Sequence, residues 1–158
     1  MLHHRIALML LLIVGPFALS SGSVAETLLA QSQTDGAAPV TDPALAQAIR
    51  GVISDQLTAL RHDDAAAAFN DASPFIQGRF QQPDIFLQMV RSGYAPVYRP
   101  QQVEFRDLVQ MGDGLEQRVF VIGPDGRAYL AHYQMQRQPD GSWKINGCIL
   151  EPLADQST

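Results

Sequence analysis

The chain has 158 residues, 46% of them hydrophobic, and its 16 acidic and 11 basic residues give a formal net charge of −5. This length suits one domain with its own core, and the acidic balance argues against nucleic acid as a partner, because phosphate binding needs clustered Lys and Arg. The chain has one cysteine, Cys148, so it cannot form an internal disulfide.

Residues 1–25 have the pattern of a secretory signal peptide. A short polar start that includes Arg5 precedes about fourteen apolar residues, and Ser23-Val24-Ala25 offers small residues for cleavage before Glu26. The apolar run is short for a membrane span. We therefore predict a secreted, periplasmic protein without stable membrane insertion, with an uncleaved anchor as the alternative. Loss of Arg5 leaves ten basic and sixteen acidic residues, a formal charge of −6.

A flexible lead is predicted for residues 26–41, which are rich in Gln, Ser, Thr, Gly and Ala. A single domain is predicted over residues 42–152, with a disordered tail at 153–158. The domain begins with Asp42-Pro43, a typical helix cap followed by proline at the first helical position. Apolar residues then recur at helical spacing from Leu45 to Leu60, which predicts a long amphipathic helix.

Three shorter helical segments are predicted next. Asp63 or Asp64 can cap the first of them, and Ser73-Pro74 begins the second. Pro83 opens the third, which Ser92-Gly93 ends.

The sequence after Pro96 is typical of strands. Three glycine-containing turns, Gly112-Asp113-Gly114, Pro124-Asp125-Gly126 and Pro139-Asp140-Gly141, divide it into four runs. The order of elements predicts an α+β fold in which N-terminal helices pack on a curved four-stranded antiparallel sheet.

The turns also predict how the strands pair. The last turn sets Arg137 opposite Trp143, Met135 opposite Ile145, Tyr133 opposite Gly147 and Ala131 opposite Ile149, and the turn before it sets Val119 opposite Ala131 and Gln117 opposite Tyr133. These registers place an apolar set on one face: Val119, Val121, Tyr129, Ala131, Tyr133, Met135, Trp143, Ile145 and Ile149. The first strand fits with Val103, Phe105, Val109 and Met111 inward, although its turn is ambiguous by one residue.

Helices followed by a curved antiparallel sheet resemble the cone-shaped fold of nuclear transport factor 2-like proteins. Four segments, residues 72–80, 86–90, 94–97 and 140–148, are similar to a bacterial family called domain of unknown function 4864. The resemblance covers about Ile49 to Leu150. That family implies no established activity or catalytic residue. Relatives of similar fold include isomerases, dehydratases, ligand-binding proteins and dimerisation modules.

Asp107 is a candidate general base. If Val103, Phe105 and Val109 face inward, its carboxylate lies on the apolar face beside Val119, where burial would raise its pKa. The alternative is a slipped register, or a strand bulge, that turns Asp107 to solvent, where it would pair with Arg106 or Arg118.

Four aromatic residues are candidates for lining a small apolar pocket: Tyr94, Tyr129, Tyr133 and Trp143. Their rings would supply apolar walls and their hydroxyl and indole groups a few donors. The alternative is that all four belong to the core.

Four residues are candidates for an interface on the opposite face: Phe120, Leu130, His132 and Cys148. The predicted register sets His132 across from Cys148 and beside Arg118. A His next to a thiol can activate it as a nucleophile. The alternative is a sheet face used for contact between two copies.

No metal site or cofactor is predicted, because the one run of ligand types, His62-Asp63-Asp64, cannot converge on an ion from a helix start. The sequence favours a non-catalytic module that binds a small apolar ligand or another protein. The alternative is an isomerase- or hydratase-like enzyme with Asp107 as general base and Tyr129 or Tyr133 as hydrogen-bond donor.

Overall fold

The computed structural model describes residues 37–154. The predicted signal peptide, most of the predicted lead and residues 155–158 of the predicted tail lie outside the described residues. The elements in chain order are β1 (Ala37–Pro39), α1 (Pro43–Arg61), α2 (Ala65–Asn70), α3 (Pro74–Phe80), α4 (Pro83–Gly93), α5 (Ala95–Tyr98), β2 (Gln102–Met111), β3 (Gly114–Ile122), β4 (Ala128–Arg137) and β5 (Trp143–Pro152).

The sheet is antiparallel, with the strands in sequence order from β1 to β5. The α+β class is confirmed, but the prediction of four strands is wrong. The fifth strand, β1, lies within the segment predicted as a flexible lead and pairs Ala37 with Met111 and Pro39 with Val109. Its three residues, AAP, carry no strand pattern of their own, so only the neighbouring strand makes them extended.

Helix α1 confirms the strongest helix prediction. The Asp42 carboxylate accepts hydrogen bonds from the backbone N–H groups of Ala44 and Leu45, which caps the helix. Ile49 and Ile53 are fully buried against the sheet. The sheet face that they contact is called the inner face here. Its buried set with α1, the sheet cluster, is Ile49, Ile53, Leu57, Val97, Leu108, Leu115, Val119, Val121, Ala131, Tyr133, Met135 and Ile145.

A second core, the helix cluster, joins the end of α1 to α2 and α4. Its buried members are Ala59, Leu60, Ala68, Phe86, Leu87 and Val90. The rings of Phe69 and Phe80 pack on Phe86 with centroids 5.4 and 5.7 Å away. Three prolines, Pro43, Pro74 and Pro83, stand in the first turns of their helices, as the sequence predicted.

The register between β3 and β4 is confirmed, with Val119 opposite Ala131 and Gln117 opposite Tyr133. Strand β2 contains a bulge between Phe105 and Leu108. The prediction that Val109 and Met111 face inward is therefore wrong, because both residues lie beyond the bulge.

Past that bulge, Leu108 takes the place in the sheet cluster that was predicted for Val109, and Met111 is exposed. The buried amide of Gln117 fastens the bulge by donating to the carbonyl oxygens of Arg106 at 2.9 Å and Asp107 at 3.3 Å.

Strand β5 also contains a bulge. Arg137 pairs with Trp143 and Met135 with Ile145, as predicted, but Gln134 then pairs with Gly147, which leaves Asn146 as the extra residue. The predicted pairs Tyr133–Gly147 and Ala131–Ile149 are wrong by one residue. As a result Cys148 and Leu150 pack on the sheet cluster, and Ile149 is 57% exposed on the other face, called the outer face.

Within residues 37–154, no helix combines the length and apolar character that crossing a membrane requires.

Truncation of Ile53 tests the packing of α1 on the sheet. Ile53→Ala removes a fully buried side chain and leaves a cavity, so the free energy of unfolding should fall by about 2–5 kcal/mol in urea denaturation. Gln47→Ala, at an exposed position of the same helix, is the control and should change it by less than about 0.5 kcal/mol. Equal effects of the two substitutions would contradict this packing.

Candidate functional site: a cavity between helices α3 and α4 and strand β5

The described residues enclose a partly open cavity of about 410 Å³. Helices α3 and α4 form one side of it and β5 forms the other. The lining residues are Gln56, Ala72, Ile76, Arg79, Phe80, Phe86, Met89, Val90, Tyr94, Val97, Ile145, Gly147 and Cys148. Most of this wall is apolar.

The cavity lies where the two core clusters meet. Phe86 and Val90 belong to the helix cluster, whereas Val97 and Ile145 belong to the sheet cluster. Tyr94, at the end of α4, packs against both. Each cluster is close-packed within itself, and the space remains at their junction.

Helix α3 is held to the sheet at the β5 bulge. Ser73, its N-cap, is fully buried, and its hydroxyl donates to the Oδ1 of Asn146 at 2.7 Å. The backbone N–H of Ser73 donates to the carbonyl of Ile145, and the N–H of Ile145 donates to the carbonyl of Asp71. The chain before α3 thus pairs with the outer edge of β5 and fixes one wall of the cavity.

Two polar side chains, Gln56 and Arg79, stand in the lining. The amide of Gln56 is buried and donates to the carbonyl of Ala68 at 3.1 Å, which fixes its orientation. Arg79 lies in the last turn of α3, is exposed, and makes no ion pair or side-chain hydrogen bond with the described residues. Among the described residues that line the cavity none is acidic, and Arg79 is the one with a formal charge.

Cys148 and Tyr133 lie side by side on the inner face, paired between β5 and β4. Burial raises the pKa of the Cys148 thiol to about 12. Burial also raises the pKa of Tyr133 well above its usual value, and the neighbouring thiol adds to that effect. The thiol is therefore neutral near pH 7, whereas a nucleophilic cysteine must be in its thiolate form.

Of the four predicted pocket residues, the structure brings Tyr94 to the cavity. Tyr133 is 1% exposed and lies beside Cys148 on the adjacent strand. The Tyr129 hydroxyl donates to Asp125 at 2.9 Å in the adjacent turn, and Trp143 packs against the sheet cluster. Tyr129, Tyr133 and Trp143 are not among the described residues that line this cavity.

Asp107 lies in the β2 bulge and is exposed. The expectation that its carboxylate stands on the apolar face is wrong, and the alternative of a bulge is correct. Asp71 is half-buried, and this burial raises its pKa, while Lys144 opposes the shift. Asp71 is the C-cap of α2 and does not line the cavity.

The predicted interface residues separate onto both faces of the sheet. Phe120, Leu130 and His132 share the outer face, whereas Cys148 lies on the inner face. His132 pairs with Ile149 instead of Cys148, so the thiol and imidazole are not brought together. The Nδ1 of His132 lies 2.8 Å from Oε1 of Glu116, and its Nε2 lies 3.1 Å from Oε2 of Glu151.

Asp63, from the run His62-Asp63-Asp64, forms ion pairs with Arg91 at 2.8 Å and Arg99 at 3.0 Å. A hydrogen bond from the Tyr98 hydroxyl and then one from Arg91 hold the pKa of Asp63 below its usual value. Asp64 caps α2. No cluster of metal-ligand side chains occurs among residues 37–154.

Sequence reasoning missed most of the cavity wall: Gln56, Ile76, Arg79, Phe80, Met89 and Val90 were not among the candidate site residues. The shared apolar face of α4 was visible at Phe86, Met89 and Val90, but periodicity does not distinguish a cavity wall from packed core. Asn146-Gly147 within a strand was a usable signal for the bulge that turns Cys148 inward.

Comparison with protein families gives one match. The model of the family described as Domain of unknown function (DUF4864) matches residues 43–158. Comparisons with curated proteins and with solved structures find no significant match.

The raised pKa of Cys148 predicts a loss of stability at alkaline pH. The unfolded chain releases the thiol proton near the usual pKa of 9.0, but the folded chain holds it until about 12. The protonated thiol therefore makes its full contribution to the free energy of unfolding below pH 9. This contribution is lost as the pH rises towards 12, by about 1 kcal/mol per pH unit. Urea denaturation at pH 8, 9 and 10 measures it.

Cys148→Ala serves as the comparison for this pH series. It should unfold more easily at pH 8 yet lose less stability between pH 9 and pH 10 than the unaltered chain. Parallel curves for the two proteins would show that the thiol ionises equally well in the folded state.

Proposed function

The chain belongs to the family described as Domain of unknown function (DUF4864), and because that description names no activity, we propose from the cavity alone that the protein binds a small apolar ligand without catalysis. The ligand would lie between α3, α4 and β5.

The observation that carries this proposal is the size and lining of the cavity. Protein interiors leave few voids larger than a water molecule, because each lost contact costs dispersion energy. A space of about 410 Å³ lies within the range of small-molecule sites. Its walls are mainly Phe, Met, Ile and Val side chains, which favour apolar groups over water.

The proposal also includes the cellular location of the protein and the type of fold to which it belongs. The signal-peptide pattern of residues 1–25 supports secretion to the periplasm. Helix α1 packed along the inner face, together with bulges in β2 and β5 that increase strand twist, supports a cone of the nuclear transport factor 2-like type.

A second proposal is a homodimer that forms through the outer face. Ile149 is 57% exposed there, and Phe120 and Leu130 lie opposite each other on adjacent strands. The same face carries Glu151 and Arg118, so it offers charges of both signs. A two-fold contact requires a self-complementary surface, and a face with both signs favours a second copy as the occupant.

The isomerase- or hydratase-like alternative stays a hypothesis. Asp107 would have to act from an exposed bulge in β2, outside the lining of the cavity. No cavity residue supplies a carboxylate in its place.

Filling the cavity tests ligand binding. Met89→Trp should weaken the binding of an apolar fluorescent probe such as Nile red at least tenfold, because the larger ring occupies ligand space, while the melting temperature stays level or rises. Ile85→Trp, one turn earlier on α4 and 49% exposed, is the control and should bind normally. Native mass spectrometry of the protein from its host should show an adduct that Met89→Trp lacks. Probe binding that both substitutions leave unchanged would place the ligand elsewhere.

A charge on the outer face tests the homodimer. Ile149→Glu would place two like charges against each other across a two-fold contact, so light scattering should report half the mass of the unaltered protein, with little change in melting temperature. The control is Phe75→Glu, a similarly exposed apolar position on α3, which should leave the mass unchanged. A monomeric unaltered protein, or a dimer that Ile149→Glu leaves intact, would rule out this interface.

A further inference from the structure

Among the described residues that line the cavity, Arg79 alone is charged, and its position indicates where a ligand would meet a positive charge. Arg79 is exposed at the end of α3, whereas the opposite wall of the cavity, Ile145 and Cys148, lies on the inner face of the sheet. A ligand that fills this space would therefore meet a cation at the solvent side and apolar groups inside.

The surroundings leave the guanidinium of Arg79 available. Four of the nine arginines among residues 37–154 form ion pairs with carboxylates: Arg91, Arg99, Arg106 and Arg118. Arg79 forms none with the described residues, and no acidic side chain competes for it in the lining. A guanidinium offers a planar set of donors that matches a carboxylate or phosphate.

We propose, resting on the ligand-binding function above, that the cavity takes a single-chain amphiphile with an anionic head. Its carboxylate or phosphate binds Arg79, and its hydrocarbon chain lies between α4 and β5 against Phe86, Met89 and Ile145. Phe75, 64% exposed, precedes Arg79 by one turn of α3, a spacing that places the two residues on the same side of that helix.

The test is calorimetric titration of the protein with decanoate and decyltrimethylammonium below their critical micelle concentrations, and with decan-1-ol below its solubility limit. Decanoate should bind at least tenfold more tightly than the other two. Arg79→Gln should weaken decanoate about tenfold and leave decan-1-ol unchanged, because it removes only the charged hydrogen bonds. Arg79→Lys should restore part of the affinity, and Arg61→Gln, an exposed arginine outside the lining, should have no effect.

The outcomes separate this inference from the function on which it rests. Equal binding of all three decyl compounds, unaffected by Arg79→Gln, would refute the anionic head and leave apolar binding in place. No binding of any of them, with no adduct in native mass spectrometry, would refute both. Arg79-dependent flotation with phosphatidylglycerol vesicles, without decanoate binding, would assign Arg79 to a membrane surface and overturn the inference.

Discussion

The burial of the apolar side of α1 against the inner face of the sheet determines where the other elements lie. Ile49 and Ile53 are fully buried there, and bulges interrupt two of the strands, β2 and β5. The end of α1 continues beyond the sheet and packs with α2 and α4 through Leu60. Since one helix serves two cores, a junction between them is unavoidable, and the cavity occupies that junction.

Much of this fold could be predicted because its signals are local. The cap at Asp42, the prolines that begin α1, α3 and α4, and the Pro-Asp-Gly turns each act within a few residues. The failures have a different cause. The bulge at Arg106–Asp107 depends on the buried amide of Gln117, 10 or 11 residues away along the chain, and the bulge at Asn146 depends on Ser73.

The candidate site was harder to predict than the fold, because it consists of space between elements. An apolar face on α4 predicts burial, but it does not state whether the opposing side chains reach it. One register error also misplaced two residues: Cys148 was expected beside His132 and instead lies beside Tyr133, with a raised pKa. The arrangement favours a protected thiol within a binding wall over a reactive one.

Helix α3 differs from the other wall of the cavity in how it is attached. None of its seven residues is buried, and its main links to the sheet are the hydrogen bonds at Ser73. Segments with few buried apolar contacts open at lower free-energy cost than the core around them. Local unfolding of α3 would therefore widen the partly open cavity while α1 and the sheet stay folded, so that a bulkier ligand could enter.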